Sequence, residues 1–172
     1  MNYSAIKYCD IANGTGVRTV LFVSGCRNRC VGCFQPETWS FDNGEVFDET
    51  VEAAIIKSLE PAYIEGLTLL GGDPFEEENQ KVLLPFLRKV RKAFPRKTIW
   101  AYTGYILETD LMQEGRKHTE DTDEMLEYID VLVDGPFIEA QKNISLKFRG
   151  SENQRVIDMN QYRKMGEIVT IF

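Results

Sequence analysis

Histidine is almost missing from this sequence: His118 stands alone in 172 residues. That scarcity excludes metal sites and proton relays built from two or three imidazoles. Cysteine is absent after position 33, which argues against a disulfide framework spread through the fold. No apolar run approaches the roughly 18 residues of a membrane span. The first ten residues hold no apolar signal region, so a cytosolic location is expected. Basic residues are also in deficit, with 20 Lys and Arg against 27 Asp and Glu and a net charge of −7. Such a balance excludes broad attraction to nucleic acid or to an anionic membrane. Repeats, linkers and low-complexity segments are lacking too. A single domain over residues 1–172 is expected, long enough to bury one core.

Beyond the cysteine-bearing start, strand-like and helix-like patterns alternate. Val17 to Val23 is a β-branched run ending at Ser24-Gly25, which predicts a buried strand. Val51, Ala54, Ile55 and Leu59 recur at helical spacing, with Asp48 as N-cap and Pro61 as a stop. Gly66 to Leu70 predicts a second strand, ended by Gly71-Gly72. Leu83, Phe86, Leu87, Val90 and Phe94 form a helical stripe, with Pro85 in or near its first turn. Thr98 to Tyr102 and Asp130 to Val133 predict two more strands around a helix bearing Met125, Leu126 and Ile129. Short strands are also expected at 155–159 and 167–172. Alternation of this kind implies an α/β fold with a parallel sheet. Four strands finish in small or polar residues: Ser24-Gly25, Gly71-Gly72-Asp73, Thr103-Gly104 and Asp134-Gly135. Ligands of parallel α/β folds bind at that carboxyl edge.

The cysteines are the most informative residues present. Cys26, Cys30 and Cys33 form a C-x3-C-x2-C loop directly after the first predicted strand, and Cys9 stands apart. Structural zinc normally takes four ligands in two separated pairs. Three close thiolates instead suit three corners of a 4Fe–4S cluster and leave one iron open for a substrate or cofactor. Lys7, Arg18, Arg27 and Arg29 against Asp10 give residues 1–35 a net charge of +3, leaving −10 elsewhere. Local cations of that kind favour thiolates.

This cysteine loop, followed by Gly71-Gly72-Asp73-Pro74 after the second strand, resembles the radical S-adenosylmethionine superfamily. A longer ordered set narrows the resemblance: Asn13-Gly14-Thr15-Gly16-Val17-Arg18, Ser24-Gly25-Cys26, Gly32-Cys33-Phe34, Thr103-Gly104-Tyr105, Val131-Leu132-Val133-Asp134-Gly135 and Arg149-Gly150-Ser151-Glu152-Asn153-Gln154. Together they are similar to the activating proteins of anaerobic (class III) ribonucleotide reductases, which are glycyl-radical-activating enzymes. The likeness spans about residues 1–155. Gly32 stands where the wider superfamily usually has an aromatic residue, and Thr15 replaces the proline of a usual N-G-P-G loop.

The resemblance implies a truncated, partial (β/α) barrel of mostly parallel strands. It implies that Cys26, Cys30 and Cys33 hold a 4Fe–4S cluster whose open iron is chelated by the amino and carboxylate groups of S-adenosylmethionine. An electron from flavodoxin or a similar donor would release methionine and a 5′-deoxyadenosyl radical. That radical would abstract hydrogen from a glycine of the reductase, leaving a glycyl radical. Cofactor contacts are expected from Gly71, Gly72 and Asp73 to the ammonium group. Gly32, Cys33 and Phe34 are expected beside the adenine, and Thr103 and Asp134 at hydroxyl and ribose positions. No general acid or base is required. Two other readings stay open: an activase of another glycyl-radical enzyme, of the formate-lyase type, and a non-enzymatic zinc module with Cys9 as fourth ligand. Cys9 is otherwise read as a spare buried thiol and His118 as a surface residue. The basic run Arg88, Lys89, Arg91, Lys92, Arg96 and Lys97 is either a solvated helix face or a dock for an acidic flavodoxin or the reductase.

Overall fold

In the computed structural model, which describes residues 1–172, the chain opens with antiparallel strands β1 (Asn2–Asp10) and β2 (Val17–Val23). The loop between them, residues 11–16, is too short for the crossover that a parallel pair needs. A two-residue strand, β3 (Glu45–Val46), pairs with the start of β1. Then α1 (Glu49–Ser58), β4 (Ile64–Gly71), α2 (Glu77–Ala93), β5 (Thr98–Tyr102), α3 (Thr122–Tyr128) and β6 (Val131–Asp134) alternate. The chain finishes with β7 (Arg155–Asp158) and α4 (Met159–Met165). The single sheet has the order β3-β1-β2-β4-β5-β6-β7. Its centre, β2-β4-β5-β6, is parallel as expected, whereas both edges are antiparallel. At the second edge the cause is geometric. The chain leaves β6 at its carboxyl end, stays over that edge through residues 135–154, and re-enters the sheet from the same side.

Alternation along the strands gives the sheet two unlike faces. Leu21, Val23, Leu67, Leu69, Ile99, Ala101 and Leu132 pack with Ile55 of α1, Leu83, Leu87 and Val90 of α2 and Met125 of α3 in one large core. On the other face Trp100, Val131, Val133 and Val156 form a small cluster, flanked by Tyr102, Phe148 and Ile171. Asp48 caps α1, its side chain accepting the Val51 N–H at 2.9 Å.

Three sequence expectations need correction. Pro85 lies well inside α2, not near its start. It occupies the exposed face, so the Lys81 carbonyl that loses its helical partner looks to solvent. Residues 167–172 make only one isolated bridge, Ile157 to Thr170, with Ile171 N–H donating to Val156. Cys9 is exposed on β1 rather than buried. The basic run is a solvated face, as one of its two readings had it, with several of its cations held by neighbours. Arg88 pairs with Glu124, Lys89 with Glu52 and Arg91 with Asp130, while Lys97 donates to the carbonyls of Pro61 and Ile64. His118 is half-buried and pairs with Asp123. No helix is long and apolar enough to cross a membrane.

Candidate functional site

The cysteine loop leaves β2 through Gly25, whose positive φ of 100° admits a turn that a Cβ would block against the Phe41 ring. Gly25 N–H donates to Thr38 and Cys26 N–H to Trp39, so the 3₁₀ turn Pro36–Trp39 closes the loop from behind. Within the loop, Cys33 N–H donates to the Cys30 carbonyl at 3.1 Å. Gly32 sits there at φ 76°, where a Cβ would meet Glu139 at 2.8 Å and the Phe137 ring at 3.3 Å. A side chain there would be strained by the positive φ and would have to push the Glu139 carboxylate aside, which gives the departure at position 32 a physical reason.

The loop is pinned from α2. Glu76, fully buried, accepts the Arg27 N–H at 2.7 Å, the Arg27 guanidinium at 2.7 Å, Tyr105 Oη at 2.6 Å and Lys117 Nζ at 2.6 Å. Burial alone would raise its pKa, but these donors hold it below the ordinary value. Arg27 also forks Glu78 at 2.6 and 2.9 Å. The expected positive field around the thiols is neutralised only in part: Arg27 is paired and Arg18 lies at the opposite end of β2, but Arg29 makes no ion pair and Lys7 lines the cavity. Burial and the Asp73 carboxylate push the Cys26 thiol up to about 12, and burial raises Cys30. Cys26 and Cys30 are thereby favoured as thiols, and binding metal would displace their protons.

The Gly71-Gly72 turn is packed without room for side chains. A Cβ at Gly71 would lie 2.5 Å from the Val23 carbonyl, and one at Gly72 would lie 2.6 Å from that of Gly25. Gly72 N–H donates to Val23 and Asp73 N–H to Gly25, whereas the Gly72 carbonyl accepts no turn or loop hydrogen bond. Asp73 is buried and committed. Its oxygens accept Phe75 N–H at 2.9 Å, Thr103 Oγ1 at 2.9 and 3.1 Å, and Gly104 N–H at 2.8 Å, with the Asn28 amide at 3.3 Å. Burial pushes its carboxyl up to about 7.

Cys26, Cys30, Cys33, Phe34, Gly71, Gly72, Asp73 and Thr103 all line one cavity of about 810 Å³. That volume is within the range of small-molecule sites. Gly32 and Asp134 do not line it. Asp134 instead accepts Leu107 N–H at 2.9 Å and pairs with Arg155. Phe34 is exposed, 5.4 Å from the Phe137 ring centroid. The opposite wall, which sequence reasoning did not foresee, includes Tyr102, Lys142, Phe148, Arg149 and Gln154. In the sequence, Tyr102 shows itself only as the end of a predicted strand and Arg149 and Gln154 only as parts of a motif without a role.

Three free thiols around one wide cavity fit a polynuclear cluster. Cys9, the fourth ligand of the zinc reading, does not line the cavity that Cys26, Cys30 and Cys33 share. Comparison with known proteins agrees. A family described as 4Fe-4S single cluster domain matches residues 12–157. A Haemophilus influenzae protein is 46% identical over 157 residues, 90% of this chain and 96% of its own. One from Pasteurella multocida is 43% identical, covering 94% and 100%, and one from Enterobacteria phage T4 is 41% identical, covering 91% and 93%. Each is named anaerobic ribonucleoside-triphosphate reductase-activating protein. Over nearly its whole length, this chain belongs to that family of 4Fe–4S reductase-activating proteins.

Proposed function

We propose that this chain is a radical S-adenosylmethionine enzyme that activates an anaerobic ribonucleotide reductase. The carrying observation is that three free thiols and the Gly71-Gly72 turn open onto one cavity. In this reading Cys26, Cys30 and Cys33 hold the 4Fe–4S cluster. The Gly72 carbonyl, unspent in the protein, accepts from the cofactor's ammonium group, and Gly71 allows the close approach. Phe34 offers an apolar face to the adenine, with Gly32 and Cys33 shaping the loop beside it. Asp73 and Thr103 act by locking the ends of β4 and β5 to the cysteine loop. Asp134 fixes Arg155 outside the cavity. Held by these residues, the cluster would supply the one-electron chemistry needed to make a radical from S-adenosylmethionine and pass it to a glycine of the reductase. The protein's share is binding, orientation and exclusion of water.

The finer architecture proposed is a single domain shaped as an open, truncated (β/α) barrel, its concave side being the face that bears the cavity. A flavodoxin-like protein in the cytoplasm is the proposed electron donor. Anaerobic reconstitution tests this reading. The protein should bind about four irons and four sulfides, and its reduced paramagnetic spectrum should change when S-adenosylmethionine is added. A colourless protein with stoichiometric zinc, or a cluster spectrum indifferent to the cofactor, contradicts it.

A further inference from the structure

The Arg149–Gln154 motif builds a knot over the cavity. Gln154 Oε1 accepts the N–H groups of Gly150 at 2.9 Å and Ser151 at 3.1 Å, and its Nε2 donates to the Gly135 carbonyl at 3.1 Å. Asn153 Nδ2 donates to Pro136 at 2.8 Å, so the two ends of the excursion between β6 and β7 are tied together. Just before the knot, Phe148 adopts φ 59°, a left-handed conformation unusual for a bulky residue. Its ring packs edge-on against Trp100 at 5.3 Å and Phe172 at 5.2 Å. Anchors on both sides therefore fix Arg149 in the cavity wall.

Two arginines of the same sheet face show what is unusual about Arg149. Arg18 is fully buried and spends every guanidinium donor inside the protein, on Thr68, Thr98, Thr15 and Leu67. Arg149 makes one hydrogen bond, from Nη1 to the Gln154 carbonyl at 2.9 Å. Its Nε is buried with no partner, and Tyr102 Oη is a second buried polar atom with none. Both residues line the cavity. The charged side chains there are Lys7, Lys142 and Arg149 against Asp73, whose two oxygens are already occupied. Lys7 and Lys142 lie over the rings of Phe22 and Phe34, leaving Arg149 as the planar donor held in place by the backbone.

We infer that Arg149 is the carboxylate-recognition residue of the cavity, pairing with the carboxylate of the cofactor's amino-acid portion. This rests on the proposed reading that the cavity holds S-adenosylmethionine. A guanidinium fork matches a carboxylate, and a carboxylate has two oxygens, so this pairing is compatible with iron coordination through the other.

The test is equilibrium binding, without reductant, to the cluster-loaded protein. The probes are S-adenosylmethionine and its decarboxylated form, which keeps the amine and sulfonium. Arg149→Gln should weaken the first by about tenfold or more and leave the second nearly unchanged. Arg149→Lys, which keeps the charge and loses the fork, should fall between. Equal loss of both probes, or loss of neither, overturns this inference alone. A variant that no longer holds iron makes Arg149 structural and overturns it too. A wild-type protein that holds iron and binds neither probe overturns the cofactor reading beneath it.

Discussion

On the helix side of the sheet, Leu67, Leu69 and Ala101 meet the apolar stripe of α2. On the other side the same strands present Arg18, Thr68, Trp100 and Tyr102 to loops. The first face belongs to a cluster of 25 buried residues and the second to a cluster of 4, so most of the hydrophobic stabilisation lies on the helix side. The loop face is held by polar geometry instead. Arg18 carries no carboxylate partner. Burial lowers it to about 10, yet it remains charged at neutral pH because five donors are satisfied. That arrangement also stiffens the loop in which Thr15 stands where a proline would fix φ. Arg18 holds the Thr15 carbonyl, and Asp10 Oδ2 accepts from Ala12 and Asn13. One face stabilises the fold, while the other can spare a cavity.

Breaking the helix side should have the largest effect. Leu69→Ala removes a fully buried side chain and should cost about 2–5 kcal/mol. Urea unfolding of the iron-free chain measures it. A loss near zero would mean that the two faces contribute alike. Arg18→Met comes next. It leaves the Thr68, Thr98, Leu67 and Thr15 acceptors without their donor and should lower stability by about 2–3 kcal/mol. A more stable variant would show that the loop face gains nothing from its buried cation.

A smaller effect is expected from pH. Asp73 titrates at 3.8 when unfolded and at about 7 when folded. Folding therefore takes up a proton between those values. Its contribution is fully present below pH 3.8 and is lost as pH rises through 7. Asp73→Asn should flatten that decline across the window; an unchanged slope in the unfolding midpoint would assign it elsewhere. Smallest of all, Arg88→Ala removes an exposed pair with Glu124 and should leave the unfolding midpoint unmoved. The same variant should leave electron transfer from the donor intact, because the basic run is mostly occupied by its own neighbours.

How much of this was legible in the sequence follows the range of the interactions. Local signals were readable: the Val17–Val23 strand, the Asp48 cap, the cysteine spacing and the glycine turn after β4. Strand β1 escaped because its residues are half-exposed and show no continuous apolar run. The field around the cysteines was legible only in part, because Arg27 meets Glu76 and Glu78 from a distant helix while Lys142 and Arg149 join the cavity from a later loop. Asp73 and Asp134 were matched to the right strand ends, but their hydrogen-bond partners come from other elements, so only the fold reveals that their oxygens are taken. The wall carrying Arg149 was visible only as a motif without a role.

The central claim is that the loop face, through Cys26, Cys30 and Cys33, generates the reductase's radical. Electron paramagnetic resonance of an anaerobic mixture tests it most directly, with the cluster-loaded protein, reductant, S-adenosylmethionine and the reductase. A glycyl radical on the reductase is expected with the wild-type chain and none with Cys30→Ala. A radical that persists in Cys30→Ala, or never forms beside an intact reduced cluster, would contradict the claim.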